Sequence, residues 1–156
     1  MTYENYQKFV LPLLKNHGAE NFTTVAIVRE PIEWFSSWYR YNSKPKFKIR
    51  NFFTGNISFE EYANSYCIQQ DSKLFNFKKQ SQIILNGQNK NLISHLFKYN
   101  AKNDKLVNFL EKKLERTIHL PHLNISPKIL INLSEKTKKK LSNVLLDDYK
   151  LYKISQ

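Results

Sequence analysis

Phe22-Thr23-Thr24-Val25-Ala26-Ile27-Val28-Arg29-Glu30-Pro31-Ile32-Glu33-Trp34-Phe35-Ser36-Ser37-Trp38-Tyr39 changes character at Arg29. Up to Val28 the residues are aromatic, β-branched or Ala and carry no charge, which is strand composition. A nearly continuous apolar run predicts burial on both faces, as in a parallel sheet flanked by helices. Arg29-Glu30 ends the run. Pro31 has a fixed φ and no N–H to satisfy, so it suits the first turn of a helix running to about Tyr41. Strand followed at once by helix sets the fold class as α/β, a parallel sheet with helices packed on it.

The flanking sequence extends this pattern. Thr2 can cap a helix running to about Asn16, which Pro12 should kink and Gly18 should stop. Residues 42–57 form a polar, basic loop with Lys44, Lys46, Lys48 and Arg50. Ser58-Phe59-Glu60-Glu61 reads as a capping box that opens a helix to about Cys67. Residues 68–91 read as irregular, with a turn at Asn86-Gly87. Leu92 to Tyr99 is the second strand candidate. Asp104 can cap a helix through Leu106, Val107, Leu110 and Leu114. An extended stretch with Pro121 and Pro127 follows, and Ser134 caps a last helix from about Glu135 to Leu146 that can continue to Ile154. No repeat or linker divides residues 1–156, so one domain is expected.

Composition narrows the classes. Hydrophobic residues make up 41% of the 156, enough for a globular core. The single cysteine, Cys67, excludes a disulfide framework and a cysteine metal site. His17, His95, His119 and His122 lack metal-ligand spacing. No apolar run approaches the roughly 18 residues of a membrane span. No signal-peptide core opens the chain. A chain of the reducing cytoplasm is expected. The net charge of +12 suits an anionic partner. Of the 25 basic residues only Arg29, Arg40, Arg50 and Arg116 are arginine. Base readers and phosphate clamps lean on Arg for its bidentate fork, so the charge is a weak argument for nucleic acid.

In open α/β sheets, ligands bind beyond the carboxyl ends of the strands, and Arg29 stands there. The next helix aims its positive end the same way, so an anion could lie between the two. Ser37 stands about two turns into that helix and offers a compact neutral donor. Arg29 could equally pair with Glu30 or Glu33, and Ser37 could be a small packing residue.

Thr24 through Tyr39 resembles the 3'-phosphate-binding strand and helix of sulfotransferases. That signature is an apolar strand, Arg, an acidic or amide residue, often Pro, then Ser eight positions after the Arg, with an aromatic following. Arg29, Ser37 and Tyr39 match it. The resemblance implies a P-loop-like parallel sheet flanked by helices. It implies that Arg29 and Ser37 bind the 3'-phosphate of 3'-phosphoadenosine-5'-phosphosulfate (PAPS), the sulfuryl donor. Leu96-Phe97-Lys98-Tyr99 resembles the family's strand ending in a Tyr-Glu pair, with Asn100 in place of the Glu. The likeness puts Tyr99 near the adenine, where a core tyrosine is an equal reading. Leu123-Asn124-Ile125-Ser126 resembles an Asn-Val-Ser segment of one branch, which makes Asn124 and Ser126 second nucleotide contacts. Gln80-Ser81-Gln82 resembles a Gln-Ser pair near the acceptor side of some relatives.

The family also uses a 5'-phosphosulfate loop, with Lys or Arg beside Gly-Ser or Gly-Thr, ahead of the 3'-phosphate strand. These residues contain no such segment, and the chain is expected to be N-terminally truncated. No motif selects a general base, although His17 and Glu20 are near in sequence. The expected reaction is sulfuryl transfer from PAPS to a hydroxyl acceptor, with carbohydrate the favoured class. Two other readings stand beside it. One is an inactive PAPS-binding or PAP-binding remnant that depends on a partner, PAP being the 3',5'-bisphosphate product. The other is a basic nucleic-acid-associated protein.

Overall fold

The computed structural model describes residues 2–18, 22–85, 93–100, 103–121 and 126–156. Helices dominate, around a small parallel sheet of two strands among the described residues. The chain is thus α/β. Helix α1, Tyr3–Asn5, is capped by the Thr2 side chain, which accepts from the Asn5 N–H. It widens into a π-turn, Tyr6–Val10, and continues as α2, Leu11–Asn16. The wide turn lies just ahead of Pro12, whose missing N–H breaks the regular ladder. Gly18 then takes φ +77°, a left-handed value that favours glycine.

Strand β1, Val25–Val28, pairs in parallel with β2, His95–Lys98, with Val25 opposite His95 and Val28 opposite Lys98. Both strands are shorter than expected. Nor is β1 covered on both faces. Val28 is buried with Ile84, Leu96 and Leu151, whereas Ile27 is 41% exposed. Successive strand residues point to opposite faces, so one side of the sheet packs and the other opens. An apolar run does not reveal which face lacks a neighbour. At the far edge of β2, Gln156 donates to Leu96 O and accepts from Lys98 N–H.

Helix α3, Pro31–Asn42, carries the larger core. Its buried residues Phe35 and Tyr39 meet Phe59, Tyr62, Ala63 and Tyr66 of α4, Phe59–Ile68, and Leu141 of α7, Glu135–Val144. The Ser58–Glu61 capping box opens α4 as expected. Burial pushes the Tyr62 and Tyr66 phenols well above the ordinary tyrosine value. Burial also pushes the half-buried Cys67 thiol up, so it is not an activated nucleophile.

Residues 68–91 are not wholly irregular. A short helix α5, Gln80–Ile84, forms there, while the Asn86-Gly87 turn lies outside the described residues. The start of α5 is held from a distance. Buried Asp148, on α8, Leu146–Ile154, accepts the Gln80 and Ser81 N–H groups at 3.1 and 2.8 Å. Local propensity cannot register a cap supplied from so far along the chain. Helix α6, Asp104–Leu114, starts one residue after its true N-cap, Asn103, which adopts a left-handed φ of 51°. The expected last helix divides at Leu145 into α7 and α8.

Glu60 joins α4 to the start of α7. Its carboxylate accepts from the Thr137 hydroxyl and from the Ser134 N–H and hydroxyl. These donors, Thr137 first, hold its carboxyl at about 2, below the ordinary value of 4.5. A carboxyl depressed by folding contributes stability above its unfolded pKa and loses it as pH falls toward the folded value. Thermal melts should therefore show stability declining from about pH 4.5 toward 2. Glu60→Gln should flatten that decline and lower the melting temperature at pH 7; an unchanged acid limb would remove Glu60 from the account.

Candidate functional site

Four of the five residues expected to bind nucleotide converge. Arg29, Ser37, Tyr99 and Ser126 line one groove of about 660 Å³ together with Ile27, Trp34, Trp38, Tyr41 and Gln80. Asn124 lies outside the described residues. The volume is in the range of small-molecule sites. The groove opens along the uncovered face of β1, where Ile27 is exposed.

Arg29 leaves β1 at its carboxyl end. None of the ion pairs among the described residues involves it. The acidic neighbours that could have claimed it are engaged elsewhere. Glu30 accepts from Glu33 N–H and from the Tyr149 hydroxyl, both at 2.8 Å, and Glu33 lies 3.8 Å from Arg40. Burial and the bond to Glu30 raise the Tyr149 phenol to about 12, so it stays a donor. The Arg29 guanidinium instead lies over the Tyr99 ring, 4.2 Å from its centroid. Cation–π contact holds the charge in place without neutralising it.

The backbone beneath Arg29 is fixed by Gln80, 4% exposed. Its side-chain Oε1 accepts from Arg29 N–H at 2.7 Å and its Nε2 donates to Arg29 O at 2.8 Å. Gln80 thus does at one residue what a neighbouring strand would do along an edge. Asp148 anchors Gln80 in turn, so a buried carboxylate positions the arginine through one intermediate. Asp148→Ala should leave the Gln80 and Ser81 N–H groups without their acceptor and cost about 2–3 kcal/mol in denaturant titrations. A cost below about 0.5 kcal/mol, the usual range for an unimportant surface change, would show that the anchor is idle.

The end of α3 differs from expectation. The Glu30 side chain already caps it by accepting from Glu33 N–H, so the carboxylate takes the place foreseen for an external anion. The open space lies along the flank of the helix instead. Trp34, Ser37, Trp38 and Tyr41 recur at helical spacing there, adjacent to the buried Phe35–Tyr39–Asn42 stripe. Trp34 and Trp38 meet edge to face at 5.8 Å, and Trp38 stacks on Phe77 at 5.6 Å. Both indole Nε1 atoms are buried and find no acceptor among the described residues. The Ser37 hydroxyl donates to Trp34 O at 2.7 Å, so its proton is held within the helix.

The sequence reading missed this aromatic wall and the Gln80 clamp. The signal for the first was present, since α3 carries large aromatics on two adjoining stripes and only one can face the core. His17 ends α2 and does not line the groove, and Glu20 lies outside the described residues. No Asp, Glu or His is among the described residues lining the groove. No helix of the described residues is long and apolar enough to cross a membrane. Comparison with known family models, curated proteins and solved structures gives no match.

Proposed function

We propose that the chain is a sulfotransferase-like domain that binds PAPS or its product PAP in this groove, with the 3'-phosphate at Arg29. One observation carries the reading: Arg29, partly buried and fixed at a strand end, makes no ion pair among the described residues and lines the same groove as Ser37. The fork of Arg matches phosphate oxygens with paired charged hydrogen bonds. Ser37 supplies a further donor when its hydroxyl rotates away from Trp34 O, giving up only a weak bond within the helix. The aromatic flank and exposed Ile27 offer apolar surface to a nucleoside, and Ser126 adds a polar contact. Tyr99 is 37% exposed and lines the groove, so it is not the core tyrosine of the alternative reading; Arg29 lies over its ring, and its exposed surface can meet a nucleoside.

Sulfuryl transfer to a hydroxyl, with carbohydrate the favoured acceptor, would need a base within hydrogen-bond reach of that hydroxyl. The absence of an imidazole or carboxylate among the described lining residues favours a second reading, in which the domain binds the nucleotide without transferring from it. Two measurements separate the readings. Thermal stabilisation by PAP tests binding, and transfer of labelled sulfate from PAPS to a panel of sugars tests catalysis. Stabilisation with transfer supports the enzyme, and stabilisation without transfer supports the binding module. No stabilisation at millimolar PAP removes both. Salt-steep duplex binding that PAP does not compete would favour the nucleic-acid reading instead.

A further inference from the structure

The groove continues along α3 away from Arg29. Trp34 and Tyr41 are seven residues apart, which at the helical rise separates them by about 10 Å along the axis. Two cations lie against the ring of Tyr41, which lines the groove. Lys44 Nζ lies 4.7 Å and Lys46 Nζ 5.7 Å from the centroid of the same Tyr41 ring. Lys46 Nζ also lies 4.9 Å from the Phe47 centroid. No ion pair among the described residues involves either lysine. Two ammonium groups gathered at one ring repel each other, and the ring offsets only part of that.

The segment that carries them is fixed. Pro45–Phe47 forms a 3-10 turn, and the Phe47 ring packs between Tyr41 and Phe52 at 5.2 and 5.3 Å. Buried Thr54 donates its hydroxyl to Tyr39 O at 2.6 Å, which ties the far end of the loop to α3. Arg29 and the aromatic flank line the groove, and Tyr41, the last residue of that flank, carries two ammonium groups that make no ion pair among the described residues.

We infer that Tyr41, Lys44 and Lys46 form a second anion subsite, which takes the second anionic group of an elongated ligand whose first phosphate lies at Arg29. The inference rests on the nucleotide reading above. The chemistry required is a phosphate or sulfate at the lysine end. It can come from the second phosphate of the nucleotide or from a sulfated sugar acceptor.

Calorimetric titration of the full chain tests this with three probes: adenosine 3',5'-bisphosphate, adenosine 3'-monophosphate and a sulfated chondroitin disaccharide. Wild type is compared with Lys44→Ala/Lys46→Ala and with the charge-matched Lys48→Ala/Arg50→Ala. The first double variant should weaken the bisphosphate or the disaccharide about tenfold or more, as loss of charge-assisted bonds does, and leave the monophosphate unchanged. Loss on the bisphosphate assigns the subsite to the nucleotide, and loss on the disaccharide alone assigns it to the acceptor. Equal losses in both double variants, or no loss in either, overturn the subsite. A wild-type chain that binds neither nucleotide sinks the nucleotide reading. The disaccharide then decides alone, and binding that ignores Lys44 and Lys46 overturns the lysine subsite too.

Discussion

Arg29→Ala should abolish the stabilisation that PAP gives the wild-type chain while leaving the unliganded melting temperature nearly unchanged. The two halves of this result have separate causes. In the free protein the guanidinium makes no ion pair among the described residues and contacts the Tyr99 ring, an interaction worth about 0.5–1 kcal/mol. With the proposed phosphate bound, the same group would make paired charged hydrogen bonds in a partly desolvated groove. Removing one partner of such a pair costs about 2–5 kcal/mol of affinity. Arg29→Lys should fall between, because Lys keeps the charge but loses the planar fork and the stacking on Tyr99. Titration with PAP followed by thermal shift reads both effects. If Arg29→Ala binds PAP as tightly as wild type, the groove is not a 3'-phosphate site.

Phe35→Ala should have the largest effect on folding itself. Phe35 is fully buried, with its ring centroid 4.9 Å from both Tyr62 and Tyr66, 5.7 Å from Phe77 and 5.8 Å from Phe59. Truncating a buried Phe removes its transfer energy and leaves a cavity that the surrounding rings cannot close, at about 3–5 kcal/mol. A domain of this size has about 5–15 kcal/mol in total. The melting temperature should drop by about 6–20 °C. Phe35→Leu should cost markedly less, because it keeps most of the volume. Since Phe35 and Trp34 are adjacent on α3, the loss should also blunt PAP binding. A denaturant midpoint within error of wild type would mean that the helix is held mainly by something other than this aromatic cluster.

Local signals made part of this molecule legible in advance. The apolar run to Val28, the break at Arg29 and Pro31 at a helix start are each decided by neighbours in sequence, and the structure places β1 and α3 there. The same holds for the Ser58–Glu61 box and the Ser134 cap. What escaped notice depends on groups far apart in the chain. Helix α5 begins where it does because Asp148 accepts its first N–H groups. Arg29 makes no ion pair with its two acidic sequence neighbours, because Tyr149 shares the Glu30 carboxylate and Arg40 draws Glu33. Ile27 is exposed because nothing among the described residues covers that face of the sheet. Arg29 and Ser37 could be named from their spacing, but the Glu30 cap that occupies the helix end between them could not.

The pairing of β1 with β2 joins segments 70 residues apart, as the Thr24–Ser94 bonds record. Closing so long a loop is entropically costly, and the ladder that rewards it is only four residues per strand. The aromatic contacts of Phe35 with Phe59, Tyr62, Tyr66 and Phe77 need far shorter excursions of the chain. Helices α3 and α4 can therefore condense first, with the strands docking on them afterwards. Arg29 and Tyr99 follow directly from the two strands, so the cation meets its aromatic seat only in that last docking step. On the proposed nucleotide reading, ligand competence would arrive late in folding and be the first property forfeited when the strands part.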